Sequence, residues 1–314
     1  MRDDPDIKIF AGCASKLLTE KICAALHMEP GSNHCIRFSE GNIYVKFDEK
    51  VRGKDIYIVQ TIGLDPNNEM MELLFWLDAA KRSGVNSVTA IMPYFGYAKA
   101  DKKDEPRVSI RARVCADCME AAGVDRVVTM DLHSAQIQGF FSKPVDHLYA
   151  SNIFVENIRR QNLSHYSIVA PDEGCAKNAR YYTNRLNVPL VIGSKRRIDH
   201  SETAEITGLM GEIEGMDAII VDDFTISCGT LIETAKALKA GGAQKIYAYV
   251  SHGLLSKTSA DKLCESPVDH LFTTDSVYNP ATLDRKNITI LSVAGLFARA
   301  IQIIHEKESL SSLF

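Results

Sequence analysis

The sequence predicts an α/β protein with mainly parallel sheets. Short β-branched runs at residues 56–59, 88–91 and 126–129 alternate with amphipathic stretches such as residues 70–82. This alternation is typical of parallel sheets, because two parallel strands need a crossover connection that is usually a helix. The second half of the chain shows the same alternation, with apolar runs near residues 168, 219, 246 and 288.

An internal repeat divides the chain into two similar halves. Residues 55–91 and 217–249 share the order of strand, loop, helix, glycine and strand. Similarity at this scale indicates a duplicated unit. We therefore expect an N-terminal domain of residues 1–149 and a C-terminal domain of residues 150–314. The tail, about residues 300–314, can pack back on the N-terminal domain.

The composition limits the function classes. The 314 residues include 36 Lys and Arg and 40 Asp and Glu, for a net charge of −4, which argues against nucleic acid and anionic membranes as partners. No apolar stretch has the length of a membrane span or a secretory leader. The eight cysteines are scattered, and Cys115 and Cys118 form a single CxxC pair in a helix-like segment, so we expect a cytoplasmic protein without a zinc or redox site there.

The richest chemical signal follows the apolar run at residues 218–221. Asp222 and Asp223 come first, and a loop rich in hydroxyl groups and a helix start follow. Such a loop presents backbone N–H groups and the positive end of a helix dipole to a phosphate. Two carboxylates beside it suit ribose hydroxyls or Mg²⁺, so a sugar phosphate fits the whole segment. A pair of strand-capping acids with Thr230 as the N-cap is the structural alternative.

Several motifs resemble one enzyme family nearly end to end. The loop at residues 222–230 resembles the phosphoribosyl pyrophosphate motif of phosphoribosyltransferases and phosphoribosyl pyrophosphate synthetases. Residues 129–141 (TMDLHSAQIQGFF) resemble a signature that only the synthetases have, and residues 95–98, 101–103, 51–53 and 309–314 match them as well. The resemblance implies two similar phosphoribosyltransferase-type domains, each a mainly parallel sheet flanked by helices.

The same resemblance implies the reaction and its partners. A synthetase of this family, a ribose-phosphate diphosphokinase, transfers the β,γ-diphosphoryl group of ATP to the anomeric hydroxyl of ribose 5-phosphate, giving phosphoribosyl pyrophosphate and AMP. Mg²⁺ is the implied cofactor. The chain has no Walker loop to hold ATP. The resemblance implies a homo-hexamer built from dimers, with adenine bound between subunits.

The resemblance also implies roles for individual residues. The implied catalytic residues are Lys195 and Arg197, in a charged segment at residues 193–202 that we expect to be a mobile, exposed loop. The implied ATP-binding residues are Phe38, Glu40, Asn42, Lys99, Asp101 and His133. The implied ribose 5-phosphate ligands are Asp172, Asp222, Asp223, Ser227, Cys228, Gly229 and Thr230. The implied metal ligands are Asp131, His133 and Asp172, and the implied allosteric phosphate site consists of Arg52, Ser309 and Ser311.

Taken alone, most of these motifs also have a structural explanation. The alternatives are a purely structural role for Asp131-Leu132-His133, a turn for Asp172, a core aromatic for Phe38, a solvated surface for residues 195–197, and a docking tail for Leu313 and Phe314. An extended strand end does place Asp131 and His133 on one side, where both can meet Mg²⁺ or a polyphosphate.

Departures from the family pattern support a second hypothesis. Asn42 replaces an acid, Ala100 replaces an amide, Ile226 replaces a polar residue and Cys175 replaces a glycine. These changes cluster at implied ligand contacts, so a non-catalytic homologue that assembles with active synthetase subunits is the alternative to an active enzyme. A phosphoribosyltransferase ranks third, because it leaves residues 129–141 unexplained.

Overall fold

The computed structural model describes the backbone of residues 6–197 and 204–313. It also describes their side chains, except those of residues 195–197 and 204–207. The chain divides into two units. The first contains the residues up to Tyr149 together with Asp275–Tyr278 and the segment from Ser292 onward. The second contains Ala150–Thr274 and Asn279–Leu291.

The first unit is built on a five-stranded sheet. Its elements up to Tyr149 are β1 (Ile7–Ala11), α1 (Lys16–Leu26), β2 (Asn33–Arg37), β3 (Ile43–Phe47), β4 (Asp55–Val59), α2 (Pro66–Arg82), β5 (Ser87–Met92), α3 (Arg111–Ala122), β6 (Arg126–Met130) and β7 (Val145–Leu148). The strand order is β1-β4-β5-β6-β7, and every pair is parallel. The central strands are buried along most of their length, as continuous apolar runs require.

An antiparallel hairpin and the C-terminal helix complete this unit. Strands β2 and β3 pair from Asn33 opposite Phe47 to Arg37 opposite Ile43, and residues 38–42 connect them. Trp76 of α2 is fully buried and its ring lies 4.9 Å from that of Phe47, so the hairpin packs on α2. Helix α8 (Ala294–His305) contacts α1 through an apolar face.

The second unit is built on a seven-stranded sheet. Its elements are α4 (Ser151–Arg160), β8 (Tyr166–Ala170), α5 (Ala176–Leu186), β9 (Leu190–Arg197), β10 (Ala204–Met210), β11 (Asp217–Thr225), α6 (Gly229–Ala240), β12 (Ile246–Gly253), α7 (Lys257–Cys264), β13 (His270–Thr274) and β14 (Ile288–Leu291). The order is β10-β9-β8-β11-β12-β13-β14, parallel except for the β9–β10 pair.

The strand order of the second unit reverses direction between β8 and β11. From β8 the chain continues outward to β9 and β10, whereas from β11 it continues the other way to β12, β13 and β14. In open α/β sheets, ligands bind outside the carboxyl ends of the strands at such a reversal. The sheet therefore points to the ends of β8 and β11 as a ligand site.

The predicted fold class is confirmed, and two local expectations are wrong. The two acids at residues 222 and 223 lie within β11 rather than beyond it, because β11 keeps pairing with β12 as far as Thr225 opposite Gly253. Residues 193–197, which we expected in an exposed loop, form the end of β9 and pair with β10. None of the described helices is long and apolar enough to cross a membrane.

Candidate active site

The ends of β8 and β11 bring three predicted ligand residues together. Asp172 follows β8, and Asp222 and Asp223 lie in the last part of the neighbouring β11. The backbone N–H of Cys175 donates to Asp172 Oδ1 over 3.1 Å, and the Cys175 thiol donates to Asp222 Oδ1 over 3.5 Å. The backbone N–H of Asp223 donates to the same Asp222 oxygen over 3.0 Å.

Burial and the crowding of acidic groups raise the pKa of two side chains in this cluster. Burial and then repulsion by Asp223 raise the pKa of Asp222 well above the usual range for a carboxyl group. Burial and the charges of Asp222, Asp172 and Asp223 likewise raise the pKa of the Cys175 thiol. Without a ligand, the folded protein therefore disfavours the ionised form of the Asp222 carboxyl group. A ligand that supplies hydrogen-bond donors or positive charge would relieve this penalty.

The loop after β11 has the features of a phosphate cradle. Helix α6 begins at Gly229, and the first backbone N–H groups of a helix have no carbonyl partner within the helix. The Gly229 N–H points toward Ser227 Oγ at 3.4 Å. Cys228 is buried and has a left-handed backbone with φ 61°, a conformation that costs about 1–2 kcal/mol for a residue with a Cβ atom. Ile226, in contrast, is 41% exposed.

The end of β6 in the first unit places Asp131 and His133 in a constrained turn. Asp131 has a left-handed backbone with φ 42°, and its N–H donates to the Leu148 carbonyl over 3.0 Å. The N–H of Leu132 donates to His147 Nε2 over 2.8 Å, while His133 is exposed. Sequence reasoning missed His147. It lies opposite Thr129 on β7, and only the strand register reveals its place.

The tip of the β2–β3 hairpin carries the predicted adenine contacts. Phe38 is 45% exposed, so it is not a core aromatic, and its ring lies 6.5 Å from that of Tyr44. Asn42 uses its side-chain oxygen to accept the N–H of Ile43 over 2.8 Å. Glu40 is exposed at the same tip.

The segment after β5 carries Lys99 and Asp101. Lys99 ends a short 3-10 helix, Gly96–Lys99, and Asp101 follows two residues later. Between them Ala100 is buried, and its carbonyl accepts the N–H of Ala112 at the start of α3. The residue that departs from the family pattern here is therefore part of the packed framework, whereas its two neighbours are more accessible.

The remaining predicted residues lie apart from these clusters or outside the described side chains. Ser309 and Ser311 place their Oγ atoms 2.8 Å apart. Arg52 is exposed, and among the described residues it makes no hydrogen bond to either serine. The side chains of Lys195 and Arg197 lie outside the described part of the structure.

The fold and the site together define an α/β protein of the phosphoribosyltransferase type, with a carboxylate pair and a helix N-terminus at the strand reversal. Sequence models match in two regions: the N-terminal domain of ribose phosphate pyrophosphokinase at residues 7–123, and the phosphoribosyl synthetase-associated domain at residues 199–314. The chain belongs to the ribose-phosphate pyrophosphokinase family.

Full-length relatives support this assignment. The chain is 39% identical to a ribose-phosphate pyrophosphokinase of Porphyromonas gingivalis, over 100% of this chain and 99% of the relative. It is 41% identical to one of Rhodopirellula baltica, over 98% of each chain. The crystal structure of phosphoribosylpyrophosphate synthetase from Mycobacterium smegmatis aligns with a TM-score of 0.89 at 32% identity, covering 96% of this chain and 99% of that one.

These matches confirm the predicted family and enzyme class, an ATP-dependent diphosphoryl transferase for phosphoribosyl pyrophosphate synthesis. They give no support to the non-catalytic alternative.

The raised pKa of Asp222 predicts a stabilising substitution. At pH values above the usual pKa of an aspartate, Asp222 ionises in the unfolded chain but keeps its proton in the folded chain. Ionisation therefore stabilises only the unfolded state, and the free energy of unfolding falls as the pH rises. Asp222→Asn removes this loss. Without ligands or metal, we expect the variant to be more stable than the parent at pH 7. The difference should shrink near pH 4.

The measurement is thermal unfolding of both proteins at the two pH values, with exposed Asp284→Asn as the matched control. Asp284 has a left-handed backbone, which asparagine tolerates. A variant equal to or less stable than the parent at pH 7 would contradict the interpretation that Asp222 is held at a cost.

Proposed function

We propose that this chain makes phosphoribosyl pyrophosphate and AMP from ATP and ribose 5-phosphate, with the acid pair of β11 and the start of α6 binding the sugar phosphate. The observation that carries this assignment is the juxtaposition of Asp222, Asp223 and the α6 N-terminus at the strand reversal. A carboxylate accepts two charge-assisted hydrogen bonds, which suits the vicinal diol of ribose. The loop Ser227–Thr230 then lies where the 5-phosphate can accept backbone N–H groups.

The ATP site is proposed to form from the first unit. Phe38 would stack on adenine, since it is exposed at a hairpin tip rather than packed in the core. Glu40 and Asn42 would contact the base from the same tip. The Asn42 oxygen already accepts one backbone N–H, and its second lone pair and its amide group remain for adenine. Lys99, Asp101 and His133 would face the polyphosphate.

Mg²⁺ is the proposed cofactor, and the oxygen donors of each unit suit it separately. Mg²⁺ prefers oxygen ligands; Asp131 follows a strand end in the first unit, Asp172 follows one in the second, and each carboxylate is only partly buried. His133, two residues from Asp131, would contact the metal or its water shell. When bound, Mg²⁺ supplies positive charge that organises the phosphates.

The transfer step is proposed to depend on the cations at the end of β9. The anomeric hydroxyl attacks the β-phosphorus of ATP, the bond to the α-phosphate oxygen breaks and AMP leaves. Lys195 and Arg197 would neutralise the negative charge that develops on the transferred group and on AMP. Charge that appears in the transition state is stabilised best by groups already in position.

We expect Lys195→Ala and Arg197→Ala each to lower turnover by roughly 100-fold or more, about 2.7 kcal/mol of transition-state stabilisation. The measurement is the formation of AMP and phosphoribosyl pyrophosphate by the purified protein. Arg196→Ala is the matched control, because the proposal gives this neighbouring cation no role. Turnover within about threefold of the parent in both variants would overturn the assignment. Failure of the parent to form both products would overturn the proposed reaction itself.

The KM values for the two substrates should distinguish the role of Asp222 and Asp223 from that of His133. Asp222→Ala and Asp223→Ala should raise the KM for ribose 5-phosphate by roughly tenfold or more, about 1.4 kcal/mol, with a much smaller change for ATP. His133→Ala should show the opposite bias, toward MgATP. Steady-state kinetics with each substrate varied in turn measures both, and Asp284→Asn is the control. Equal effects on both substrates would instead place the acids at a shared metal.

The active form is proposed to be a cytoplasmic homo-hexamer built from dimers and activated by phosphate. The proposed phosphate site would combine Arg52, which is exposed beside Gly84, with Ser309 and Ser311, whose Oγ atoms lie 2.8 Å apart. A guanidinium from one subunit and two hydroxyl groups from another would suit an oxyanion. Activity would then rise with protein concentration, because association populates the competent species.

We expect Arg52→Ala to weaken activation by inorganic phosphate and to leave the hexamer intact. Exposed Lys50→Ala is the control, since it removes a nearby cation that has no proposed role. Activity across a phosphate titration and sedimentation of the same samples measure the two properties. Full activity of a dilute, sedimentation-verified monomer in phosphate-free buffer would refute both the shared site and its regulation.

A further inference from the structure

A second cluster of metal-binding side chains lies in the first unit, away from every residue assigned above. Cys13 follows β1, Cys35 lies in β2 and Glu72 lies in α2. One donor atom from each, two sulfurs and a carboxylate oxygen, all lie within 4.8 Å of one another. Three separate segments of the chain thus converge on one point.

Glu72 is a buried carboxylate with neutral partners. Its side chain is only 4% exposed. Oε1 accepts the backbone N–H of Cys13 over 2.9 Å and the Trp76 indole N–H over 3.1 Å, and Oε2 accepts the Gln60 amide over 3.0 Å. Among the described residues, no Lys, Arg or His side chain forms an ion pair with it. Buried charges are usually paired or bound to a metal, so this arrangement leaves a place for a cation.

The two thiols face each other and the carboxylate. The sulfur atoms of Cys13 and Cys35 lie within 4.8 Å of each other and of a Glu72 oxygen; Cys13 is exposed, whereas Cys35 is partly buried. Burial raises the pKa of both thiols, so both are protonated at neutral pH and a bound metal must displace two protons.

The surroundings hold the three ligands in position. Gln60 is fully buried, donates to Glu72 and to the Glu69 carbonyl, and accepts the N–H of Ala14 over 3.3 Å. Gly12 permits this approach, because a Cβ atom there would lie 2.1 Å from Gln60 Oε1. The loop that carries Cys13 is therefore tied to the same amide that orients Glu72, and fixed partners of this kind raise metal affinity.

We propose that Cys13, Cys35 and Glu72 bind a Zn²⁺ ion, with water as the fourth ligand on the exposed side of Cys13. Two thiolates and one carboxylate make a ligand set that Zn²⁺ accepts in tetrahedral geometry, whereas Mg²⁺ requires oxygen ligands. The ion links β2, the loop after β1 and α2. Because Phe38 follows Cys35 by three residues, the site braces the base of the hairpin that carries it.

Zinc and cobalt binding to the full-length, reduced protein tests the proposal, with excess Mg²⁺ present to occupy sites built from oxygen ligands. We expect dialysis to leave a bound Zn²⁺ that Cys13→Ser and Cys35→Ser each weaken by about tenfold or more. Co²⁺ should give a thiolate-to-metal charge-transfer band that is lost in the same two variants. Cys118→Ser and Cys264→Ser, at exposed cysteines of α3 and α7, are the controls and should bind as the parent does.

Glu72→Gln probes the third ligand, because the amide keeps an acceptor for Cys13 and Trp76 while removing the charge. Bound Zn²⁺ should raise the unfolding temperature of the parent and not that of the two serine variants. Three results would overturn the proposal: no retained Zn²⁺ in the parent, equal retention by Cys13→Ser and Cys35→Ser, or a Co²⁺ complex without a thiolate band. Each is independent of catalytic turnover, so failure here is distinguishable from failure of the proposed reaction.

Discussion

The carboxyl edge of a parallel sheet is the constraint on which the second unit depends. Parallel strands end on the same side, so the residues that follow β8 and those at the end of β11 must share one small space. Three acids meet there, and burial and the charge of Asp223 raise the pKa of Asp222. Asp222 accepts hydrogen bonds from the Cys175 thiol and the Asp223 backbone N–H, which offset part of the cost of ionising it. The folded protein accommodates these acids without a ligand. A ligand that supplies hydrogen-bond donors or positive charge would lower the remaining energetic cost.

Glu72 is also a buried acid, but its carboxylate is stabilised differently from that of Asp222. It has three directed N–H donors. Asp222 has fewer donors and an acidic neighbour, so burial acts on it with less compensation. Hydrogen-bond donors lower the cost of a buried carboxylate but do not neutralise its charge, so both Glu72 and the crowded acids at the β11 edge favour a cation.

The alternation of apolar runs predicted the central strands, because strands buried on both faces need continuous apolar sequence. The apolar pattern does not predict strand segments that lack such a run. Strands β2 and β3 alternate between exposed and half-buried residues and pair only with each other, so they lack the apolar signal. The antiparallel extension of β9 is charged, and local sequence gives no sign of its partner strand. His147 and the Cys13, Cys35 and Glu72 cluster depend on residues far apart in the chain, so no local motif can reveal them.

The departures from the family pattern separate into framework and ligand positions. Ala100 is buried, and its carbonyl accepts the N–H of Ala112 in α3, so the fold has accommodated this change. Ile226 and Asn42 are exposed, the first at the phosphate loop and the second at the hairpin tip. A change in the packed framework must be compatible with folding, whereas a change at an exposed contact acts only when a ligand is bound. The exposed pair should therefore alter substrate affinity and leave the architecture of the edge unchanged.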